Sequence, residues 1–298
     1  MLINETKLVE IFIELDDFCQ KYSSWQQQRQ FPCPIVAALK PGVKAALSDS
    51  EILTILILYH LSGYKCFEYF YTDGIQNNLR REFPKAVSYT RFVALIPQVA
   101  PLMLLFTQYK CAQSARTGTY FVDSKTIEVC HVKREHQHRV FKDIATKGKS
   151  SMGWFFGLKL HLVINDIGEI VQFAFSSAKI ADNNALILNN LFANLTGKCV
   201  GDKGYLTKLF DAFLDKGLQI ITKIRRNMKN VLMPLADKLI LRKRGIIESV
   251  NDILMTVCDV EHSRHRSPDN AFVSMMAALS AYAFLERKPS VKFKNWIG

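Results

Sequence analysis

Between Tyr120 and Ile224 the chain alternates short β-rich runs with helical runs, and their order admits few architectures. YFVDSKTI comes first, followed by the polar, basic stretch HVKREHQHRVFKDIATKGKSSMG. Two alternating runs, FFGLKLHLVI and EIVQFAFSS, are joined by NDIG in the manner of a tight hairpin. DNNALILNNLFANL then carries helical spacing, KCVG is a short apolar strand, YLTKLFDAFLDKG is helical with a glycine stop, and LQIITKI is a strand. The order is β, ββ hairpin, α, β, α, β, and two helices come after it, RGIIESVNDILMTV and SPDNAFVSMMAALSAYAFLER. That is an α/β plan, a mixed sheet with helices packed against it.

Residues 1 to about 112 read differently, as helices. In LSDSEILTILILYHLSG, Ser48 and Glu51 have the spacing of a capping box, an apolar run follows at once, and Gly63 supplies a stop. A further helix starts near Ser88, where Pro97 and Pro101 must break or kink it. Thr117, Gly118 and Thr119 punctuate the change of pattern. The expected organisation is therefore a helical N-terminal domain, 1–112, and an α/β domain, 113–298. Three antiparallel strands leading into alternating α and β units is the order of a ribonuclease-H-like fold, so the expected class is a ribonuclease-H-like mixed sheet flanked by helices.

Of 298 residues 49% are hydrophobic, which excludes a disordered chain, and the net charge of +12 favours a polyanionic partner. Seven cysteines, odd in number and without a CxxC pair, read as reduced thiols of a cytoplasmic protein. The first residues lack the basic start and small-residue cleavage site of a signal peptide. ILTILILYHLSG and AFVSMMAALSAYAFL fall short of the roughly 18 residues a bilayer demands. They read as buried helices, and no membrane partner is expected.

Asp123 ends the first expected strand and Asp202 follows KCVG, so both can project at one strand-end edge, where ligand sites of open α/β sheets gather. Glu248 lies early in a later helix. Carboxylates are hard oxygen ligands suited to Mg²⁺ or Mn²⁺ rather than zinc. Two such ions activate the attacking oxygen and stabilise the leaving one in displacement at phosphorus. Ile246, Ile247, Val250, Ile253, Leu254 and Val257 form an apolar stripe from whose centre Glu248 points away. Either that polar face looks toward the aspartates or Asp252 is the third ligand.

YFVDSKTIEVCH, GKSSMGWFFGLKLHLVINDIGEI, VGDKGY, RGIIES and HSRHRSPDNAF, in this order, resemble bacterial insertion-sequence transposases of the DDE class. The resemblance runs through most of residues 45–285. It implies Asp123, Asp202 and Glu248 as the catalytic and metal-holding residues, and so favours Glu248 over Asp252. It further implies two Mg²⁺ ions, with Mn²⁺ able to substitute, and double-stranded DNA partners, namely terminal inverted repeats and target DNA. The implied reaction is nicking of element ends followed by transfer of the 3′-hydroxyl into target DNA, by a homo-oligomer on paired ends. The chain departs from the family at Met255, seven residues after Glu248, where many DDE transposases carry Lys or Arg. That basic role falls to Arg264, His265 or Arg266, or is absent. The N-terminal third is the expected reader of the element ends.

Several basic positions become DNA contacts on this reading: Lys147, Lys149, Lys203, Arg225, Arg226, Arg244, His265 and Arg266. Arg244 also stands at i, i+4 from Glu248. Cys130, His131, His136 and His138 fit no standard zinc spacing, and neighbouring cations favour a DNA-facing loop. Trp154, Phe155 and Phe156, beside Lys147 and Lys149, read as core aromatics before base-stacking ones. Two rivals remain: a non-catalytic or domesticated relative that only recognises the repeats, and an aspartyl-phosphate phosphatase. The phosphatase expects an acid two residues after its nucleophile, where Lys125 stands.

Overall fold

A computed structural model describes residues 5–29, 45–150, 153–205, 208–223, 233–261 and 265–291. Arg225, Arg226 and Arg264 lie outside the described residues. In chain order the helices are α1 (Glu5–Arg29), α2 (Asp49–Ser62), α3 (Phe67–Tyr69), α4 (Tyr89–Leu95), α5 (Ala100–Gln113), α6 (Ala185–Leu191), α7 (Phe210–Asp215), α8 (Leu235–Arg242), α9 (Gly245–Thr256) and α10 (Pro268–Ala283). The strands are β1 (Thr119–Cys130), β2 (Thr146–Ser150), β3 (Gly153–Asn165), β4 (Ile170–Ser177), β5 (Gly197–Gly201) and β6 (Leu218–Thr222). They form two compact units, Met1–Tyr109 with Leu254–Phe284, and Lys110–Ile253 with Leu285–Gly298.

The first unit is helical. Ser48 Oγ accepts from the Glu51 amide at 3.1 Å while Glu51 accepts from the Ser48 amide at 2.6 Å, closing the expected capping box on α2. Gly63 ends α2 at φ 79°, a left-handed conformation in which a side chain is strained. Between these caps α2 is buried on nearly every side, and α10 lies against it, with Thr107 and Ser280 hydroxyls 3.0 Å apart in the same core. Replacing Ser48 with Ala frees an amide at the α2 N-terminus. The expected loss is about 1 kcal/mol, read as a lower urea midpoint with an unchanged m-value.

α4 passes into α5 through the 3₁₀ turn Ile96–Val99, where the two prolines interrupt the regular helix. The run Tyr89–Gln113 is, by length and composition alone, long and apolar enough to cross a bilayer. Phe92, Ile96, Val99, Leu102, Met103 and Phe106 of this run are buried in the core of the helical unit.

In the second unit β1 is the hinge of the sheet. It pairs antiparallel with β3 and parallel with β5, which pairs parallel with β6. β3 is long enough to take two partners side by side, β2 along Gly153–Gly157 and β4 along Leu158–Ile164. With β2 set aside as the second partner of β3, the strands run in the order β4, β3, β1, β5, β6, the ribonuclease-H-like arrangement expected from the run order. The β3–β4 turn is the expected hairpin, with Gly168 at φ 77° and the Asn165 side chain accepting from the Glu169 amide at 2.8 Å. Tyr120 and Val122 of β1 pack with Ile187, Leu188 and Leu191 of α6 and with Phe213 of α7, which places the core on one face of the sheet.

Candidate active site

Strand alternation sends Asp123 to the face opposite Tyr120 and Val122. The sequence pattern ends β1 at Asp123, but the strand continues to Cys130 because β3 remains its partner beyond that point, pairing Asp123 with Leu162 and Ser124 with His161. What ends near Asp123 is the parallel pairing, whose last pair is Phe121 with Val200. Asp202 is the first residue past β5, two places after that pair, so it stands at the same level as Asp123. A Cβ on Gly201 would approach Val122 Cγ1 to 2.9 Å, so glycine lets the two strand ends draw close there.

Burial pushes the Asp123 carboxyl up to about 6, opposed first by the Arg244 guanidinium and then by a backbone hydrogen bond at Ser124. The negative charges of Asp202 and Glu248 push it further up. The three acids named from sequence therefore feel one another across the site.

Helix α9 supplies the other wall. Ile247 and Val250 are fully buried and Glu248 is 61% exposed, in keeping with the apolar stripe and the polar face opposite it. Arg244 joins the two groups of acids, donating to Glu248 Oε1 at 2.7 Å and standing 4.0 Å from Asp123 Oδ1. The i, i+4 pair is thus present, and its guanidinium occupies the gap between Glu248 and Asp123. Asn251, which sequence reasoning missed, donates from Nδ2 to Asp123 Oδ2 at 3.2 Å. Among the described residues no group of three His, Cys, Asp or Glu side chains stands close enough to hold one metal ion. Asp252 is exposed on the same helix.

A second polar cluster lies behind the site, on the face of the sheet that Asp123 does not use. Asp182 Oδ1 accepts from Ser124 Oγ at 3.0 Å and from Lys159 Nζ at 3.1 Å. Its Oδ2 lies 3.3 Å from where a Cβ on Gly204 would stand, in the 3₁₀ turn Lys203–Tyr205 that comes after Asp202. One carboxylate thus bonds the neighbour in sequence of Asp123 and lies beside the turn that follows Asp202. The spacing predicts a helix from Asp182 onward, but Asn184 caps α6 and Asp182 stays in the preceding turn.

His161 is buried in the same cluster, 2.8 Å from Ser176 Oγ, and burial lowers it to about 4, partly offset by Asp182. An unfolded histidine takes up its proton near 6.5, so between about 6.5 and 4 the unfolded chain binds more protons and His161 destabilises the fold as pH falls. Asp123, held above its ordinary value, acts in the opposite sense below about 6. Thermal melts of wild type and His161→Gln separate the two: the wild type should lose more melting temperature than the variant between pH 6.5 and pH 4.5. Parallel curves would remove His161 as the acid-sensitive group.

The other predicted contacts are spread out. Lys203 is exposed beside Asp202. Lys147 and Lys149 stand 5.4 and 5.8 Å over the ring of Trp154, which is 59% exposed, whereas Phe155 and Phe156 are core residues. Trp154 therefore departs from the core reading given to all three aromatics. His131 and His138 accept from the Lys133 and Phe141 amides within their own loop. His265 and Arg266 precede α10 in the helical unit.

Residues 113–268, more than half of the chain, match the family described as Transposase DDE domain. The chain belongs to this family of DDE transposases. Comparison with curated proteins gives no significant match. Among solved structures the chain is similar to one described as "Cryo-EM structure of piggyBac transposase synaptic complex with hairpin DNA", with 10% identity, a TM-score of 0.49, and coverage of 84% of this chain and 68% of the other. DDE transposases generally use divalent metal ions. The donor type, carboxylate oxygen, suits such an ion, but among the described residues no three of these groups stand close enough to share one, and Arg244 pairs with both Asp123 and Glu248.

Proposed function

We propose that this DDE transposase nicks the ends of an insertion sequence and transfers the freed 3′-hydroxyl into target DNA, with Asp123, Asp202 and Glu248 holding two Mg²⁺ ions. The observation that carries the reading is the half-buried Asp123 carboxylate on the central strand, which feels the charges of Asp202 and Glu248 and is linked to Glu248 through Arg244. When bound, the ions supply Lewis acidity to the attacking and leaving oxygens of the phosphodiester.

The protein's own part is placement and charge. β1 carries Asp123, the end of neighbouring β5 leads directly into Asp202, and Asn251 orients the Asp123 carboxylate by donating to one oxygen. Arg244 offsets the charge of Asp123 and Glu248, and its guanidinium suits a phosphate oxygen once those acids are otherwise engaged. Lys147, Lys149, Lys203, Arg225, Arg226, His265 and Arg266 supply phosphate contacts outside the reacting centre. The helical residues 1–112 read the inverted repeats, the α/β residues 113–298 carry the chemistry, and copies of the chain pair two ends.

A second reading, a relative that binds the repeats without cutting them, draws on the fact that Arg244 stands between Asp123 and Glu248. A labelled duplex bearing the DNA that borders the reading frame separates the two. Nicked product is expected with Mg²⁺ or Mn²⁺ and none with EDTA, and Asp252→Asn should nick like wild type. Tight binding with no cleavage under either cation would favour the second reading.

A further inference from the structure

The helical unit carries a cavity of about 430 Å³, open to solvent on one side, that the proposed chemistry does not use. Its wall takes Tyr59 from α2, Lys65 and Phe67 from the following turn and helix, Tyr89 from α4, and Arg266 and Asn270 from the start of α10. The aromatic part is continuous: Phe67 lies edge-on to Tyr59 at 5.1 Å between ring centres and tilted to Tyr89 at 6.3 Å. Lys65 is 65% exposed at its side chain and 3.5 Å from Asp259, and Arg266 is exposed.

Two polar atoms of this wall have no partner. Tyr59 Oη and Asn270 Oδ1 are buried and make no hydrogen bond. Leaving such atoms unpaired costs roughly 1–3 kcal/mol each, and folded proteins rarely tolerate it without a use. Burial pushes the Tyr59 phenol up to about 12, so it remains a hydrogen-bond donor at neutral pH. The pocket therefore presents ring faces and nearby cations, with the unpaired Tyr59 hydroxyl and Asn270 amide oxygen just inside its wall, where a ligand reaches them by parting that wall.

Each part narrows the ligand. An apolar side chain would leave Tyr59 Oη and Asn270 Oδ1 unpaired. A simple anion would use the cations and ignore the rings. A flat heteroaromatic group with donors and acceptors on its edge and a phosphate attached uses all of them, and about 430 Å³ falls within the ordinary range for a small-ligand pocket.

We propose that this cavity receives one unpaired nucleotide of DNA, its base against Tyr89 and Phe67, its edge on Tyr59 and Asn270, and its phosphate toward Arg266 and Lys65. A base inside an intact duplex cannot enter, so the cavity selects DNA with a bulge, a flap or a locally opened pair. The inference rests on the proposed reading that DNA is the substrate.

The test uses the full chain in EDTA, to prevent cleavage, with a fluorescein-labelled duplex and the same duplex carrying one bulged nucleotide. Anisotropy titrations should show the bulged duplex bound about tenfold more tightly, the gain of about 1.4 kcal/mol expected within the range for one stacked base. Tyr89→Ala and Asn270→Leu should each abolish that preference and leave affinity for the paired duplex within about twofold of wild type. With 2-aminopurine as the bulged base, emission should fall on binding to wild type and not to Tyr89→Ala. Wild type that binds both duplexes equally, or variants that keep the preference, would overturn the cavity assignment while leaving the DNA reading intact. Binding of neither duplex would overturn the DNA reading, and this inference with it.

Discussion

Asp123→Asn should abolish nicking, by about a thousandfold or more, and at the same time make the protein harder to unfold at neutral pH. The two effects share a cause. Burial and the charges of Asp202 and Glu248 hold the Asp123 carboxyl near 6 against an ordinary 3.8, so the charged form needed to bind a cation is the form the fold resists. The folded state keeps its proton to higher pH than the unfolded state, so this group favours the fold below about 3.8 and that contribution is lost as pH rises through about 6. A shift of about two units sets an upper bound near 3 kcal/mol, which the 23% exposure of the side chain and the lost Arg244 contact reduce. The amide keeps the shape and can still accept from Asn251, while losing the charge. Melts should show the Asp123→Asn variant more stable than wild type at pH 7.5 and no more stable at pH 4, with affinity for duplex DNA unchanged. Full nicking activity in this variant would remove Asp123 from the catalytic set. A lower melting temperature at pH 7.5 would deny that its charge strains the fold.

The parts of this arrangement that sequence reveals are those with a local physical signature. Ser48, Glu51 and Gly63 mark α2 because capping is decided within one turn, and NDIG marks the β3–β4 turn because Gly168 must adopt positive φ. Asp202 is legible for the same reason, since KCVG is a short apolar strand and the chain leaves the sheet directly after it. β2 escapes sequence reading because TKGKS is a polar strand of five residues with no alternation to read. Its pairing depends on Gly148, where a Cβ would come within 2.7 Å of Ala178, a contact known only once the fold exists. α8 escapes it as well. LADKLILR sits in a basic stretch, and its one buried acid, Asp237, takes its partners Lys198 and Gln219 from β5 and β6.

The site follows the same division. Acidic residue type and position suggest Asp123, Asp202 and Glu248, but their supports are ordinary polar residues whose role depends on distant partners. Asn251 looks like part of a solvated helical face, yet it is 5% exposed and donates to a residue 128 positions earlier. Asp182 looks like the start of a helix, yet it joins Ser124, Lys159 and the turn after Asp202. Neither hydrogen bond has a spacing to betray it.

Asp182 therefore gives the sharpest test of whether the aspartates are held in place from behind. Asp182→Ala removes the acceptor of two hydrogen bonds, one from Ser124, adjacent to Asp123, and one from Lys159, whose side chain is only 13% exposed. The poorly solvated ammonium keeps the Ile180 carbonyl at 2.9 Å but loses its countercharge, which should cost about 1–3 kcal/mol, visible as a lower urea midpoint. Stability alone would not show a positioning role, since any damaged polar cluster weakens a fold. The separating measurement is Mn²⁺ affinity by isothermal titration or electron paramagnetic resonance, on protein that circular dichroism shows to be folded. Support from behind a metal ligand is typically worth about 10- to 100-fold in affinity, so Asp182→Ala should lose that much. Asp182→Asn, which retains an acceptor oxygen for Ser124, should recover most of it while remaining less stable than wild type because Lys159 has lost its countercharge. If Mn²⁺ affinity is unchanged in folded Asp182→Ala, the cluster serves stability only, and the two aspartates are placed by the β1–β5 pairing without help from the opposite face.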